Sequence, residues 1–386
     1  MKPNAIAKLG QLCEVAAGGT PSRAKSDYFG NGMPWVKISD LLQGTVLTTD
    51  EAITPLGLEN CAAKVFPVGT VLISIFATIG RTAVLGVEAA TNQAIAGITP
   101  RNPDLLDSKY LRYYLDSLVP YLISIARGVA QLNINLGILK DLDIPVPNIV
   151  EQRRIAAILD QADAIRAKRR EALEQLDSLT QSIFIEMFGD PVANPMAWPI
   201  KKFGDVGNLD RGISKHRPRN APVLLGGVHP LVQTGEVSNC DGYIRTYTST
   251  YSDVGLKQSK MWPQGTLCIT IAANIAKTGI LTFDACFPDS VVGFRAEAPA
   301  TVEYVRVWLS FLQKALEDAA PESAQKNINL AILRDLNIPS PPLELQQSFA
   351  SRIKTLENLK ATHRNALLEL DSLFASLQHR AFAGEL

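Results

Sequence analysis

The chain is written twice. Residues 131–147 read QLNINLGILKDLDIPVP and residues 325–341 read QKNINLAILRDLNIPSP, with 12 identities in 17 positions at an offset of 194. At the same offset Arg170–Leu179 matches Arg364–Leu373 at seven of ten positions. GTVLISIFATIGRTAVL at 69–85 meets GTLCITIAANIAKTGIL at 265–281 with eight identities in 17, at offset 196. A duplication this extensive requires one fold built twice, and the organisation has to be read from the repeat.

Each copy divides at prolines, Pro145 and Pro147 in the first and Pro339, Pro341 and Pro342 in the second. Proline neither continues a helix nor donates to a strand ladder, so these mark joints. Ahead of each joint lies a mixed segment. Strand-like runs at Val71–Phe76 and Leu267–Ile271 and helical stretches near Lys109–Ile125 and Val302–Ala319 predict a mixed α/β (α+β) domain in each copy. After each joint come about 40 residues free of Pro and Gly, enough for a helix on the order of 60 Å long. Their apolar frames are Ile155, Leu159, Ala162, Ile165, Leu173, Leu176, Leu179 and Ile183, then Phe349, Ile353, Leu356, Leu359, Leu367, Leu370, Leu373 and Leu377. Arg169 and His363 interrupt these seams at equivalent positions, as register-setting polar residues do. The expected domains are 1–147, a central helix 148–190, a second head 191–341 and a C-terminal helix 342–386. The helices would form an antiparallel coiled coil, with the halves related by a pseudo-two-fold axis and the heads at opposite ends of a rod.

Two related, non-identical heads suit a ligand with two unlike half-sites, and DNA is the obvious case. The composition does not announce it: 38 basic residues face 38 acidic ones, so any basic surface is local. Residues 1–147 hold 12 of each sign, and 191–341 hold 15 basic and 13 acidic. Cations gather in turn-rich loops. The loop GGTPSRAKSDYFGNGMPWVK (18–37) presents Thr20, Ser22, Arg23, Lys25 and Lys37 with Tyr28 and Trp35 interleaved, and RGISKHRPRN (211–220) holds Arg211, Lys215, His216, Arg217 and Arg219. Arg81 and Lys277 match at offset 196, and Gln233, Gln258 and Lys260 complete the candidates. Arg and Lys reach phosphates and guanine edges, whereas Gln binds adenine edges. Solvated surface charge is the competing reading for each. The matched Gln131, Asn133, Asn135 and Gln325, Asn327, Asn329 read as a shared structural turn, because heads that recognise different sequences should not share their base readers.

Catalytic signatures are missing. The sequence has no phosphate-binding G-x-x-x-x-G-K-[ST] loop, no G-x-G-x-x-G and no Asn/Asp-Pro-Pro-aromatic tetrad. Pro103, Asp104 and Asp107-Ser108-Lys109 resemble a nuclease pair only faintly, at the start of an expected helix. Cys13, Cys61, Cys240, Cys268 and Cys286 are scattered and His216, His229, His363 and His379 form no ligand pattern, so neither a metal site nor a disulfide framework is expected. No run of 18 uncharged apolar residues occurs and the N-terminus lacks a signal-peptide layout, which points to the cytoplasm and away from membranes.

The head-helix-head-helix order, GGTPS (18–22), PWVKISDL (34–41), the repeated IPxP followed by Gln152 and Gln346, and the ending LQHRAFAGEL (377–386) together resemble a type I restriction–modification specificity subunit over the whole chain. The resemblance implies a non-catalytic host-defence protein with two target-recognition domains that read a bipartite site in double-stranded DNA. It implies helices that span the unread spacer and dock two methyltransferase subunits, and recruitment of restriction/translocase subunits. No cofactor is expected in this chain; S-adenosylmethionine, ATP and Mg belong to the partners. Arg170, Asp177, Arg364 and Asp371 are candidates for docking or for solvated helix charge. The second head departs from the pattern, carrying Arg211-Gly212-Ile213-Ser214-Lys215 in place of GGTPS. The rival reading is a coiled-coil scaffold with two protein-binding heads and no DNA.

Overall fold

A computed structural model describes residues 5–127, 133–272, 274–319 and 328–386. Two compact units make up the chain, one of Met1–Arg170 with Asn365–Leu386, the other Glu171–Arg364. Each unit is a head plus half of each long helix, Ile149–Phe188 and Leu343–Ala383.

The heads share one topology. In the first, a five-stranded sheet runs Cys13–Ala17, Ile95–Pro100, Val71–Ser74, Thr82–Leu85, Thr45–Val46. In the second the order is Asn208–Arg211, Val291–Arg295, Leu267–Thr270, Thr278–Leu281, Gly242–Ile244. In both, only the last pairing is parallel. Val71, Leu72, Ile73, Leu267, Cys268 and Ile269 are fully buried, which is why these strands read as unbroken apolar runs rather than alternating ones. A four-stranded sheet accompanies each, built on Phe29–Val36 in the first head and Leu225–Leu231 in the second. Both of those strands carry an irregularity at the same place, between Phe29 and Met33 and between Leu225 and His229. The duplication has kept even the bulge.

The expected helices are present, with one difference. Ser108–Ser117 and Val119–Ile125 are separate helices in the first head, with Pro120 in the first turn of the latter, while Pro299–Ala319 is continuous in the second. Proline at the start of a helix has no N–H to lose, and it ends the helix before it. Asp107, half of the faint nuclease pair, caps Ser108–Ser117 by accepting the Lys109 and Tyr110 N–H groups. Asn135 and Asn329 cap equivalent short helices through the Ile138 and Ile332 N–H groups, each at 2.9 Å. Asn133 pairs its backbone with Arg127, whereas Gln131, Gln325 and Asn327 lie outside the described residues.

The long helices run antiparallel within each unit. In the first, Arg154 reaches Leu386 and Arg166 reaches Asp371; in the second, Lys360 reaches Asp177 and Arg352 reaches Glu186. The buried seam departs from the expected frame toward mid-helix. Ile165 and Leu373 are each 51 % exposed, Leu359 45 % and Leu179 42 %. Their inward places go to the residues one position on: Phe374, Thr180 and Lys360 are buried and Arg166 is half-buried. A helix turns once per 3.6 residues, so a strict three-four alternation drifts off the contact face within a few turns. The polar break in the seam therefore falls at Arg166 and Lys360, while Arg169 and His363 are half-buried.

Candidate nucleic-acid interface

Three loops meet at one end of each five-stranded sheet. In the first head the Gly18 N–H bonds the Ile95 carbonyl at 3.1 Å and the Ile75 N–H bonds Ala94 at 2.8 Å. In the second the Gly212 N–H bonds Val291 at 2.8 Å and Ile271 bonds Ser290 at 3.0 Å. Gly18 and Gly212 are equivalent, and a Cβ would sit 2.2 Å from the Thr91 carbonyl oxygen in one case and 2.3 Å from those of Phe287 and Pro288 in the other. Close backbone approach is thus what GGTPS and the divergent RGISK have in common. The loops then diverge in length and wiring.

In the first head, Arg23 bonds Glu51 at 2.7 Å and lies over the Phe29 and Trp35 rings, 4.4 and 5.0 Å from their centroids. Lys37 reaches the other Glu51 oxygen at 2.9 Å and Asp50 at 3.8 Å. These cations hold the Glu51 carboxyl below its ordinary value, mainly through the hydrogen bonds from Arg23 and then Lys37. Lys25 bonds the Tyr28 hydroxyl at 2.9 Å, Thr20 bonds Gln93, and Ser22 and Arg81 are exposed. The Arg81 N–H bonds the Ser74 hydroxyl, as the Lys277 N–H bonds Thr270 in the second head.

The second head gathers its cations differently. Arg211 donates through Nε and Nη2 to the Asp289 carbonyl at 2.9 and 2.6 Å, and Arg217 and Arg219 both reach the Asp289 carboxylate. Gln258 is turned inward. Its Oε1 accepts the N–H groups of Lys215 at 2.7 Å and His216 at 3.0 Å, so it holds the loop rather than offering its amide to a base edge. The side chains of Lys215 and His216 face solvent. Lys260 lies 4.0 Å over Trp262 and 3.9 Å from Asp210. Gln233 is exposed on the rim of a 610 Å³ groove with Glu236, Asn239, Tyr243, Arg245 and Thr248. Lys277 lies apart from the arginines, in a 250 Å³ cavity with Arg306, Asp177, Glu357 and Lys360.

Sequence reasoning missed Glu51, Asp289 and Gln93, the groups on which the loop cations and Thr20 rest. Each comes from a separate strand or turn, and nothing in the spacing ties it to its partner. The helix charges considered for docking are engaged within their own units: Arg170 bonds Asp371 at 3.2 Å, Asp177 bonds Lys360 at 2.7 Å and Arg364 reaches Asp241. Among the described residues no cluster of three or more His, Cys, Asp or Glu has the arrangement to hold a metal, and the five cysteines are free thiols. No described helix is long and apolar enough to cross a membrane.

A scaffold built twice that presents loop-borne cations and amides at one end of each sheet has the layout of a recognition protein. The chain belongs to the family described as type I restriction modification DNA specificity domain, which matches residues 1–175 and again 195–370. It is 27 % identical to the type I restriction enzyme MjaIX specificity subunit of Methanocaldococcus jannaschii, covering 99 % of this chain and 93 % of that protein. Against the EcoBI specificity subunit of Escherichia coli it is 23 % identical, covering 94 % and 82 %. In fold it is similar to the crystal structure of the type I restriction–modification S subunit from M. genitalium, with a TM-score of 0.59 at 15 % identity over 99 % of this chain and 96 % of that one.

Proposed function

We propose that this chain is the DNA-reading specificity subunit of a type I restriction–modification complex and that its two heads read the two unlike parts of a bipartite site. The observation that carries the reading is the contrast within the repeat: identical topology and an equivalent close-packed glycine, but different side chains on the loops that follow. A duplicated scaffold with divergent loops is what two independent sequence readers require. The local clusters of Arg and Lys provide phosphate contacts despite a net charge of zero.

Chemistry would reside in the partners. Two methyltransferase subunits, docked on the long helices, would supply S-adenosylmethionine and modify adenines, and restriction/translocase subunits would supply ATP and Mg-dependent activity. Methylating a base requires its extrusion from the duplex, so a reader has to place an enzyme beside each half-site. The complex would act in the cytoplasm, where the DNA is. The test is adenine-methylation mapping of DNA from cells expressing this chain with its methyltransferase partner, against cells lacking the chain. A bipartite motif present only with the chain supports the proposal and gives both half-sites. No motif despite an active, assembled partner would favour the scaffold reading.

A further inference from the structure

We propose that Glu51 in the first head and Asp289 in the second are counter-ions that restrain phosphate binding by the DNA-facing arginines, so that the heads discriminate sequence instead of holding any duplex. This rests on the DNA-reading function proposed above and adds to it the means by which indiscriminate binding is held down. In each head one carboxylate serves several cations. Glu51 takes Arg23 on one oxygen and Lys37 on the other, and Asp289 takes Arg219 on one and Arg217 on the other. The arginine side chains lie outermost: Arg217 is 55 % and Arg219 46 % exposed over a 33 % exposed Asp289, and Arg23 is 55 % exposed over a 30 % exposed Glu51. A phosphate arriving from solvent meets guanidinium groups whose N–H donors are already turned toward an anion.

The two carboxylates are not inherited from the duplication. In the strand registers Glu51 faces Trp35 and Ser249 faces the equivalent Leu231, so Ser249 stands where Glu51 would be. The position equivalent to Asp289 is Gln93, the neighbour of Ala94, whose carbonyl takes the Ile75 N–H as that of Ser290 takes Ile271. The same arrangement has thus arisen from a strand in one head and from a turn in the other. A mere remnant of the shared scaffold would occupy the same position twice. Recurrence at different positions fits a requirement of the surface itself, because a site that must reject most sequences cannot take its affinity chiefly from phosphates, which every sequence offers equally.

Asp289→Asn is a clean probe, because the Asp289 carbonyl that holds Arg211 is unchanged and only the carboxylate charge is lost. The full chain, assembled with its methyltransferase partner, is titrated with a duplex carrying the mapped motif and with one lacking it, over a range of KCl concentrations. An exposed ion pair shifts an equilibrium by up to about fivefold, so Asp289→Asn and Glu51→Gln are each expected to bind the motif-free duplex about two- to fivefold tighter. The salt dependence should steepen by about 0.9 for each additional phosphate neutralised, and the preference for the motif should fall. Adding Arg217→Gln and Arg219→Gln to Asp289→Asn should cancel the increase, and Asp335→Asn, which removes an equal charge beside Lys202, should not reproduce it. Unchanged or weaker motif-free binding in both carboxylate variants, at wild-type melting temperature, would overturn the inference, as would an equal increase from Asp335→Asn. If the wild-type assembly binds neither duplex, the DNA-reading function itself falls; if it binds the motif but ignores these substitutions, only the counter-ion role does.

Discussion

The two heads share their strand order and pairing sense and differ in how their cores meet the helices. In the second unit Phe184, Phe188, Tyr304, Phe311 and Phe349 form one aromatic cluster, with ring centroids 4.9 to 5.7 Å apart. At offset 194 the first unit has Gln378 for Phe184, Phe382 for Phe188, Tyr110 for Tyr304, Ser117 for Phe311 and Ile155 for Phe349. A tyrosine and the phenylalanine edge-on to it are retained on both sides: Tyr110 lies 5.5 Å from Phe382 as Tyr304 lies 4.9 Å from Phe188, and the Tyr110 and Tyr304 hydroxyls donate to the Pro145 and Pro339 carbonyls at 2.9 and 2.7 Å. Where the first unit lacks rings it has hydrogen bonds, such as that from Gln378 Nε2 to the Tyr113 carbonyl at 3.0 Å. Packing volume and polar satisfaction are alternative ways to fasten one head to one helix pair. What both units keep is the proline joint itself.

The largest difference should appear on truncating the two equivalent positions. Phe184 is fully buried with four ring neighbours, so Phe184→Ala is expected to destabilise its unit by about 3–5 kcal/mol. Gln378→Ala removes one hydrogen bond on a half-buried side chain and should cost about 1 kcal/mol. Chemical denaturation followed by hydrogen exchange, which reports each unit separately, measures both. Equal losses would mean that the aromatic cluster adds nothing over its polar counterpart.

A narrower contrast concerns the glutamines that open the long helices. Gln152 is buried and makes three bonds: its Nε2 donates to the Leu105 and Pro147 carbonyls at 2.9 and 2.8 Å, and its Oε1 accepts the Asp107 N–H at 2.9 Å. Gln346 keeps the bond to Pro341 at 2.9 Å, but its buried Oε1 has no partner among the described residues, because the equivalent Thr301 N–H turns to Ala298 instead. Gln152→Leu should therefore cost about 2–3 kcal/mol by leaving its partners unsatisfied, and Gln346→Leu less than about 1 kcal/mol, since it also removes an orphaned acceptor. Thermal unfolding of the two variants decides it; a larger loss for Gln346→Leu would show that the glutamines act in some other way.

These glutamines show how far a single sequence reaches. The motif IPxP followed by Gln was visible as a repeat, as were the central strands, the helix lengths and the duplication, because side chains that fill the same core in both copies are held to the same identity. The bonds that give Gln152 its role were not visible, since Leu105 and Asp107 are more than 40 residues away. The seam was legible at the helix ends, through Ile155 and Phe349, and was lost mid-helix where a 3.6-residue turn outran a 3.5-residue count. At the sheet end the cations were legible as a composition of the loops. Their counter-ions were not, because Glu51 and Asp289 are brought to them by strand pairing, a long-range event that leaves no local signature.

The smallest expected effect, and the one that most sharpens the comparison, is the pH dependence that Asp116 gives the first unit. Asp116 lies beneath the Thr82 strand and beside Arg112, with Asp163 and Arg166 nearby, and its side chain is only a quarter exposed. Burial raises its pKa from the usual 3.8 to about 6, against the opposing pull of Arg112 and the Thr82 hydrogen bond. The folded chain therefore holds this proton more tightly than the unfolded chain does. Between about pH 4 and 6 the folded state binds more protons, so stability falls as pH rises through that window and stays lowered above it. A shift of this size amounts to about 3 kcal/mol, which partial exposure reduces to about 1–2 kcal/mol. The equivalent residue in the second unit is Ser310, which cannot ionise in this range. Asp116→Asn should stabilise the first unit at pH 7 by about 1–2 kcal/mol and flatten its stability between pH 4 and 6, while Ser310→Ala in the second leaves the pH profile unchanged. A profile that keeps its slope in Asp116→Asn would show that Asp116 is not the group that titrates.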